Sequence, residues 1–232
     1  MVVIERSRFV ATPDKGEVSL LLARPTDARA MLVLGHGAGS TLSHPLMEGL
    51  SESLNASGVA TLRFNYPYSE RGRGMDSEPV RLATVRAVVA RAAEMKGELP
   101  LFAGGHSMSG RMTSMAQAHS PLDGVVGVIA FAFPLHSGPP SIKRAAHLAN
   151  MNVPMLFLSG TRDAMADTKL LEAVVGGLAG ATLHWLDTAD HGFKPLKRRA
   201  SVEPVIEEAA RVASGWMVSV AALGSRSPPQ AG

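Results

Sequence analysis

Residues 101–111 read LFAGGHSMSGR and join a predicted strand to a predicted helix through a single serine. The first residues form an apolar run typical of a buried strand, and a helical pattern begins at Ser109. A chain that turns directly from strand to helix strains its turning residue, and only small neighbours such as Gly105 and Ser109 allow this. The segment therefore predicts that the Ser107 hydroxyl stands above one end of a sheet, in front of a helix N-terminus.

The composition is that of a globular α/β protein. Of the 232 residues, 46% are hydrophobic and 19% are charged, which argues against disorder and allows a full core. We predict a single domain over residues 1–224. The last eight residues, 225–232, are rich in proline and serine and are predicted to be a disordered tail.

Several classes of protein are disfavoured by the same counts. The chain has no cysteine, which excludes disulfides and thiol catalysis, and its formal charge of +3 is too small and dispersed to indicate nucleic-acid binding. No apolar run approaches the ~18 residues that span a bilayer. The first eight residues lack a signal-peptide core, so we expect a cytoplasmic protein without a membrane partner. The sequence does not distinguish a monomer from a homodimer.

Predicted strands and helices alternate along the chain. Two initial strands, at 2–11 and 18–23, are joined by a short turn at 13–16 and should form an antiparallel hairpin. The later strands are predicted at 31–34, 59–64, from 101, 125–131, 155–158 and 182–186, and the helices at 44–57, 78–95, 109–119, 168–175 and 202–223. Residues 65–77 are predicted to be a polar loop. This order predicts an α/β fold with a mostly parallel sheet covered by helices on both faces, and no segment long enough for a large lid.

Reactive side chains follow the predicted parallel strands. A glycine-rich loop, GHGAGS at 35–40, follows the first of them, Ser107 follows a middle strand, and Asp163 and His191 follow the last two. The carboxyl ends of such strands meet at one edge of the sheet. Neutral imidazole can take the proton of a serine hydroxyl near pH 7, and a carboxylate fixes the imidazole tautomer. The order predicts Ser107 as nucleophile, His191 as base and Asp163 as its orienting acid.

Other acids compete with Asp163 for that role. Asp167 fits the start of the next helix, Asp190 is too close in sequence to orient His191 easily, and Asp187 stays an alternative. The oxyanion that forms in acyl transfer needs backbone N–H donors. We predict that these come from Met108 and, in the glycine-rich loop, from Ala38.

The glycine-rich loop has a second interpretation as the phosphate cradle of a nucleotide site. A dinucleotide fold would place an acidic residue at the end of the second strand, whereas this strand ends in Arg63, Phe64 and Asn65. No cluster of metal-ligand spacing occurs, so we predict neither a metal nor a cofactor. A basic run that begins at Lys194 is expected to be a solvated loop, which an anionic substrate could use.

Taken together, these segments resemble the α/β-hydrolase superfamily and its small dienelactone-hydrolase-like members. The closest likeness is to predicted hydrolases related to a regulatory subunit of a nuclear acetyltransferase complex. The matching segments are 34–40, 63–68, 104–108, 133–136, 158–163 and 190–194. The resemblance implies the α/β-hydrolase fold and a hydrolase of esters, thioesters or lactones that acts through Ser107, Asp163 and His191. Within the matching segments, the residues predicted to contact a small acyl substrate are Gly37, Asn65, Tyr66 and His106.

One position departs from the family pattern. The family's Gly-x-Ser-x-Gly motif at the strand-to-helix turn expects glycine where this chain has Ser109. Its hydroxyl needs space and a hydrogen-bond partner, and the free N–H groups of the following helix are the expected partner. A second class of function also stays open, since some members of the resembled branch serve as interaction subunits. The chain would then be a binding module that kept the fold without turnover.

Overall fold

The computed structural model describes residues 1–72 and 74–224. The described residues form one sheet of eight strands. The strands are β1 Val2–Thr12, β2 Gly16–Pro25, β3 Ala30–Gly35, β4 Val59–Phe64, β5 Leu101–His106, β6 Val125–Phe131, β7 Met155–Gly160 and β8 Ala181–Leu186. Their order across the sheet is β1-β2-β4-β3-β5-β6-β7-β8.

The helices cover both faces of this sheet. They are α1 Pro45–Ala56, α2 Pro67–Arg71, α3 Glu78–Met95, α4 Met108–His119, α5 Thr168–Gly176 and α6 Val205–Gly224, with a 3₁₀ helix at Lys143–Asn150. One apolar layer packs α3, α4 and α5 against the sheet through residues such as Val88 and Met112. The opposite layer packs α1 and α6 through residues such as Leu54 and Met217. Strand side chains alternate between the two layers, as expected for a sheet buried on both faces.

The direction of the strands confirms the predicted fold class. β1 pairs with β2 in antiparallel fashion, and β2 pairs antiparallel with β4. From β4 to β8 every neighbouring pair is parallel. The molecule therefore has a parallel sheet extended by an N-terminal antiparallel hairpin.

The strand order reverses at β3. The chain passes from β3 to β4 on one side and then returns to β5 on the other side, so β3 lies between strands that come later in sequence. The loops that leave β3 and β5 therefore diverge to opposite sides and leave a crevice between them at their carboxyl ends. Open α/β sheets bind ligands at this kind of switch point.

The structure differs from the sequence prediction in a few local places. The predicted loop at 65–77 contains the five-residue helix α2, which begins at Pro67 and buries Tyr68. Proline is favoured in the first helical turn, but five residues are too short for an apolar stripe to reveal a helix. The last helix begins at Val205 rather than at Val202. The predicted tail at 225–232 lies outside the described residues.

Candidate active site

Ser107 lies at the turn between β5 and α4, in the crevice next to β3. Its backbone has φ 50° and ψ −111°, and it is the residue immediately before the first turn of α4. The turn is held by a 2.8 Å hydrogen bond from the Ser107 N–H to the Phe131 carbonyl on β6. A Cβ at Gly105 would lie 2.2 Å from the Gly35 carbonyl oxygen of β3, so only glycine fits there. Gly105, two residues before the serine, thus lets β5 and β3 approach closely where the chain turns.

The side chains of Ser107, His191 and Asp163 form one continuous chain of hydrogen bonds. His191 Nε2 lies 2.8 Å from Ser107 Oγ, and His191 Nδ1 lies 2.9 Å and 2.8 Å from the two carboxylate oxygens of Asp163. A carboxylate can only accept, so Nδ1 carries the proton and Nε2 presents its lone pair to the serine hydroxyl. These three residues come from loops after β5, β7 and β8. The tertiary structure therefore assembles groups that are 28 and 84 residues apart in sequence.

Asp163 is held rigidly behind the histidine. Its side chain is fully buried, and Oδ1 also accepts a 2.8 Å hydrogen bond from the Met165 N–H. The neighbouring segment containing His136 braces the same loop, because the His136 N–H donates to the Met165 carbonyl and its Nε2 accepts from the Asp167 N–H. These hydrogen bonds fix the position of the carboxylate behind the imidazole ring.

The competing acids have other partners. The Asp190 carboxylate accepts hydrogen bonds of 2.9 Å from the N–H groups of Gly192 and Lys194 and so shapes the loop that carries His191. Asp167 caps α5 by accepting from the Leu170 N–H, as its sequence position predicts. Both carboxylates therefore have structural roles in backbone turns.

His106 lies beside His191 and supports its backbone. The His106 Nε2–H donates a 2.8 Å hydrogen bond to the His191 carbonyl, and the two rings are 5.2 Å apart. Burial lowers the pKa of His106 to about 4, so the ring is neutral near pH 7. A Cβ at Gly37 would lie 2.8 Å from His106 Nδ1, so a side chain at position 37 would press on this ring.

The hydroxyl of Ser109 has a different partner from the one the sequence suggested. It donates a 2.5 Å hydrogen bond to the His36 carbonyl and pairs at 3.0 Å with the Tyr66 hydroxyl, and Ser109 itself is fully buried. The expected N–H groups of α4 are not its partners, because the side chain points toward β3. A Cβ at Gly35 would lie 2.5 Å from Ser109 Oγ, so a glycine on the neighbouring strand supplies the space that the serine needs.

Asn65 and Tyr66 are the first two residues after β4 and form hydrogen bonds with segments around the site. The Asn65 amide donates to Glu70 and accepts from the Leu42 N–H, both at 2.8 Å. Tyr66 is fully buried, and burial raises the pKa of its hydroxyl. Neither residue lines the two cavities beside Ser107, and their predicted contact with a substrate stays a prediction. Both stand at a strand end, and the sequence does not show in which direction a side chain points there.

A cavity of about 850 Å³ opens over the serine. Ser107, His191, His106, Gly37 and Ala38 all line it. Phe193 and Lys194, which belong to the matching segment 190–194, line it as well. Sequence reasoning missed the other lining residues, which are mostly apolar and include His44, Leu46, Met47, Met165 and Ile206. They come from α1, α6 and two loops, and no shared motif could have pointed to them. Ala38 is exposed in the turn beyond Gly37, and Met108 is the first residue of α4.

Within residues 1–72 and 74–224, no three His, Asp or Glu side chains are grouped as a metal could require. No helix in this part of the chain is both long and apolar enough to cross a membrane.

The family of the chain follows from its sequence. A model of the family described as "Alpha/beta hydrolase domain" matches residues 28–218, which is most of the chain. The chain belongs to the alpha/beta hydrolase family. The predicted resemblance of this hydrolase to the superfamily is thereby confirmed.

Solved structures share the fold of this alpha/beta hydrolase. Dienelactone hydrolase from Anabaena variabilis superposes with a TM-score of 0.74 over 94% of this chain and 98% of that chain, at 17% identity. Est1E from Butyrivibrio proteoclasticus has a TM-score of 0.71 over 94% and 99% of the two chains, at 16% identity. XC6422 from Xanthomonas campestris, an alpha/beta serine hydrolase without a lid, has a TM-score of 0.66 over 97% of each chain, at 15% identity. At these identities the likeness concerns the fold.

Proposed function

We propose that this alpha/beta hydrolase is a serine hydrolase that cleaves carboxylic esters, thioesters or lactones of small-molecule substrates through an acyl-enzyme. The observation that carries the proposal is the hydrogen-bonded chain from Ser107 Oγ through His191 to the buried carboxylate of Asp163, at 2.8 Å for each link. A binding module has no use for a serine aligned with a base in this way. The three residues are the catalytic residues of the proposal.

The chemistry takes place in two halves. Ser107 Oγ attacks the carbonyl carbon while His191 Nε2 takes the hydroxyl proton, and Asp163 stabilises the imidazolium that results. The bond to the leaving group breaks as His191 returns this proton to the leaving oxygen or sulfur. A water molecule then attacks the acyl-enzyme with His191 as base, and the acid is released with Ser107 restored. No cofactor takes part in these steps.

The oxyanion needs donors at a fixed place, and two backbone N–H groups are proposed. Met108 is the first residue of α4, and the first N–H groups of a helix have no partner inside the helix. Ala38 lies in the turn after β3 and lines a small cavity together with Ser107 and Met108. Preorganised backbone donors of this kind lower the barrier without any reorganisation during the reaction.

The larger cavity is proposed to receive the leaving group of the substrate. Its mostly apolar lining and its volume of about 850 Å³ suit alcohols or thiols of different sizes. Gly37 and His106 form part of its wall. The segment between β6 and β7, which the structure describes throughout, holds only a 3₁₀ helix and forms no large lid over the opening. The relatives in fold include a dienelactone hydrolase and an esterase domain by name, which supports esters and lactones as the substrate class.

A fluorophosphonate probe with mass mapping tests the proposal. We expect one phosphonyl adduct per chain, located on Ser107 by fragmentation, because the probe reacts with a serine that has an activated hydroxyl. Ser107→Ala should abolish labelling, whereas Ser219→Ala, at an exposed serine of α6, should keep it. If the parent chain stays unlabelled under conditions that label a control esterase, the binding-module interpretation replaces the enzyme.

A further inference from the structure

A second, smaller cavity lies beside the serine. It measures about 180 Å³, and three arginines, Arg81, Arg111 and Arg144, line it together with Ser107 and Met108. We name it the arginine pocket. His191 lines the larger cavity and is not among the residues of the arginine pocket. The nucleophile therefore stands between two spaces of different chemistry.

The charge of the arginine pocket is largely unpaired. Arg111 forms a 3.3 Å ion pair with Glu78, and Arg144 donates to the uncharged hydroxyl of Ser137. Arg81 makes no ion pair within the described ranges 1–72 and 74–224. Three guanidinium groups from α3, α4 and the 3₁₀ helix thus share one carboxylate. Separate elements converge here to bring like charges together, which is costly unless an anion binds between them.

The guanidinium groups are also short of hydrogen-bond acceptors. In the part of the chain that the structure describes, the Nε atoms of Arg81 and Arg111 are buried without a partner. Burial lowers the pKa of Arg111, although arginine remains protonated in proteins. Buried donors without acceptors cost free energy that a bound carboxylate would recover through charge-assisted hydrogen bonds. The first turn of α4, at Met108, adds the positive end of a helix dipole.

The proposed mechanism decides which part of a substrate reaches the pocket. The leaving group must lie near His191 Nε2 to receive its proton, so it occupies the larger cavity. The other space that Ser107 lines is the arginine pocket, which is therefore left for the acyl chain. At about 30 Å³ per small group of the size of water, the pocket holds roughly six heavy atoms.

Resting on the proposed function, we infer that the arginine pocket binds a carboxylate at the far end of the acyl group. The substrates are then monoesters or monothioesters of short dicarboxylic acids. The residues Arg81, Arg111 and Arg144 determine this specificity, and the leaving group is chosen separately in the apolar cavity. Lys194 lines that other cavity and has no part in the recognition of the acyl group.

A matched pair of esters tests the inference. Monobenzyl glutarate carries six heavy atoms beyond its ester carbonyl and ends in a carboxylate, and benzyl 5-methylhexanoate has the same shape without charge. Release of benzyl alcohol is measured by chromatography. We expect kcat/KM to be at least about tenfold higher for the charged ester, mainly through KM, since charge-assisted hydrogen bonds contribute about that factor. The preference should shrink as salt is added.

Arginine variants locate the preference. Arg81→Met and Arg144→Met should each lower kcat/KM for the charged ester by about tenfold and leave the neutral ester within about threefold. Arg91→Met, on the same helix as Arg81 but paired with Glu94 at the surface, is the matched control and should change neither. If Lys194→Met removes the preference and the arginine variants keep it, the carboxylate binds in the larger cavity and the inference is wrong.

Binding to an inactive variant separates this inference from the proposed function. Calorimetric titration of Ser107→Ala should show binding of monobenzyl glutarate and at least about tenfold weaker binding after Arg144→Met is added. Hydrolysis of the neutral ester without any charge preference would overturn the arginine pocket and leave the serine hydrolase standing. Binding of the charged ester to a chain that hydrolyses neither ester would support the pocket and reject the enzyme. Absence of binding together with absence of preference rejects the inference.

Discussion

The Ser109 hydroxyl donates a 2.5 Å hydrogen bond to the carbonyl of His36. This bond joins the first turn of α4 to the loop after β3, and so connects the two segments that carry the proposed oxyanion donors. The same hydroxyl pairs with the Tyr66 hydroxyl at 3.0 Å, in a place fully closed to solvent. The position at which this chain departs from the usual glycine has therefore become a polar link within the site.

Removal of this link should destabilise the fold. Ser109→Ala leaves the His36 carbonyl and the Tyr66 hydroxyl without their partner, and we expect the free energy of unfolding to fall by about 1–3 kcal/mol. Tyr66→Phe keeps the bond to His36 and should cost only about 1 kcal/mol. Urea unfolding measures both. Ser219→Ala, at an exposed serine of α6, is the control and should stay within about 0.5 kcal/mol of the parent. Equal costs at the two serines would contradict the role given to Ser109.

The acid and the base should act as one unit with the serine. Asp163→Asn replaces an acceptor of the Nδ1 proton by an amide that can favour the wrong tautomer of His191, and we expect kcat to fall by about 10⁴-fold. His191→Ala should have a similar effect, and the double variant should be little worse than either single one. Steady-state hydrolysis of a simple ester is the measurement. Asp187→Asn, at an exposed carboxylate in the loop after β8, should retain parental kcat. Near-parental turnover by Asp163→Asn would refute the assignment.

His106 is proposed as a positioning residue that acts through His191. His106→Phe keeps the ring volume between His191 and Phe193 but removes the bond to the His191 carbonyl. We expect kcat to fall by about 10- to 100-fold with little change in KM, since a small displacement of a reacting group has this effect. His119→Phe, at an exposed histidine, is the control. A change in KM alone would contradict this role. So would a loss of folding stability large enough to account for the lower kcat.

Three histidines, His36 buried and His106 and His147 half-buried, should make the fold sensitive to acid. Burial lowers the pKa of His36, His106 and His147 to about 4 from the ordinary value of 6.5. The unfolded chain then binds more protons than the folded chain between those values, so stability rises with pH in this window. The contribution of these neutral histidines to stability is complete above pH 6.5 and is lost as the pH falls toward 4.

The variant His147→Gln tests this linkage away from the proposed catalytic residues. Its side chain can keep the contact with Ser114 but does not titrate. The slope of unfolding free energy against pH between 5 and 6.5 should become shallower by at most about 1.4 kcal/mol per pH unit. Urea unfolding at several pH values gives the slope, and His119→Gln is the exposed control. An unchanged slope would mean that His147 is as easily protonated in the folded chain as in the unfolded one.

Local signals were enough to predict most elements. β4 at Val59–Phe64 and α3 at Glu78–Met95 were predicted with the bounds that the structure has, because glycine or proline marks an end and apolar periodicity marks the body. The helix α2 escaped prediction because five residues carry too little periodicity. The order of Ser107, Asp163 and His191 was also visible, since each follows a strand and parallel strands end at one edge.

The direction and partner of individual side chains depended on packing between distant segments. Ser109 was expected to bond to its own helix, but its hydroxyl reaches a carbonyl 73 residues earlier. The arginine pocket likewise unites Arg81, Arg111 and Arg144 from three elements that share no motif. Burial of apolar surface is non-directional and leaves its trace in composition and periodicity, so a sequence determines which residues form the core and where strands end. Hydrogen bonds and ion pairs need distances of about 3 Å and a defined angle, and only the relative position of packed elements provides these.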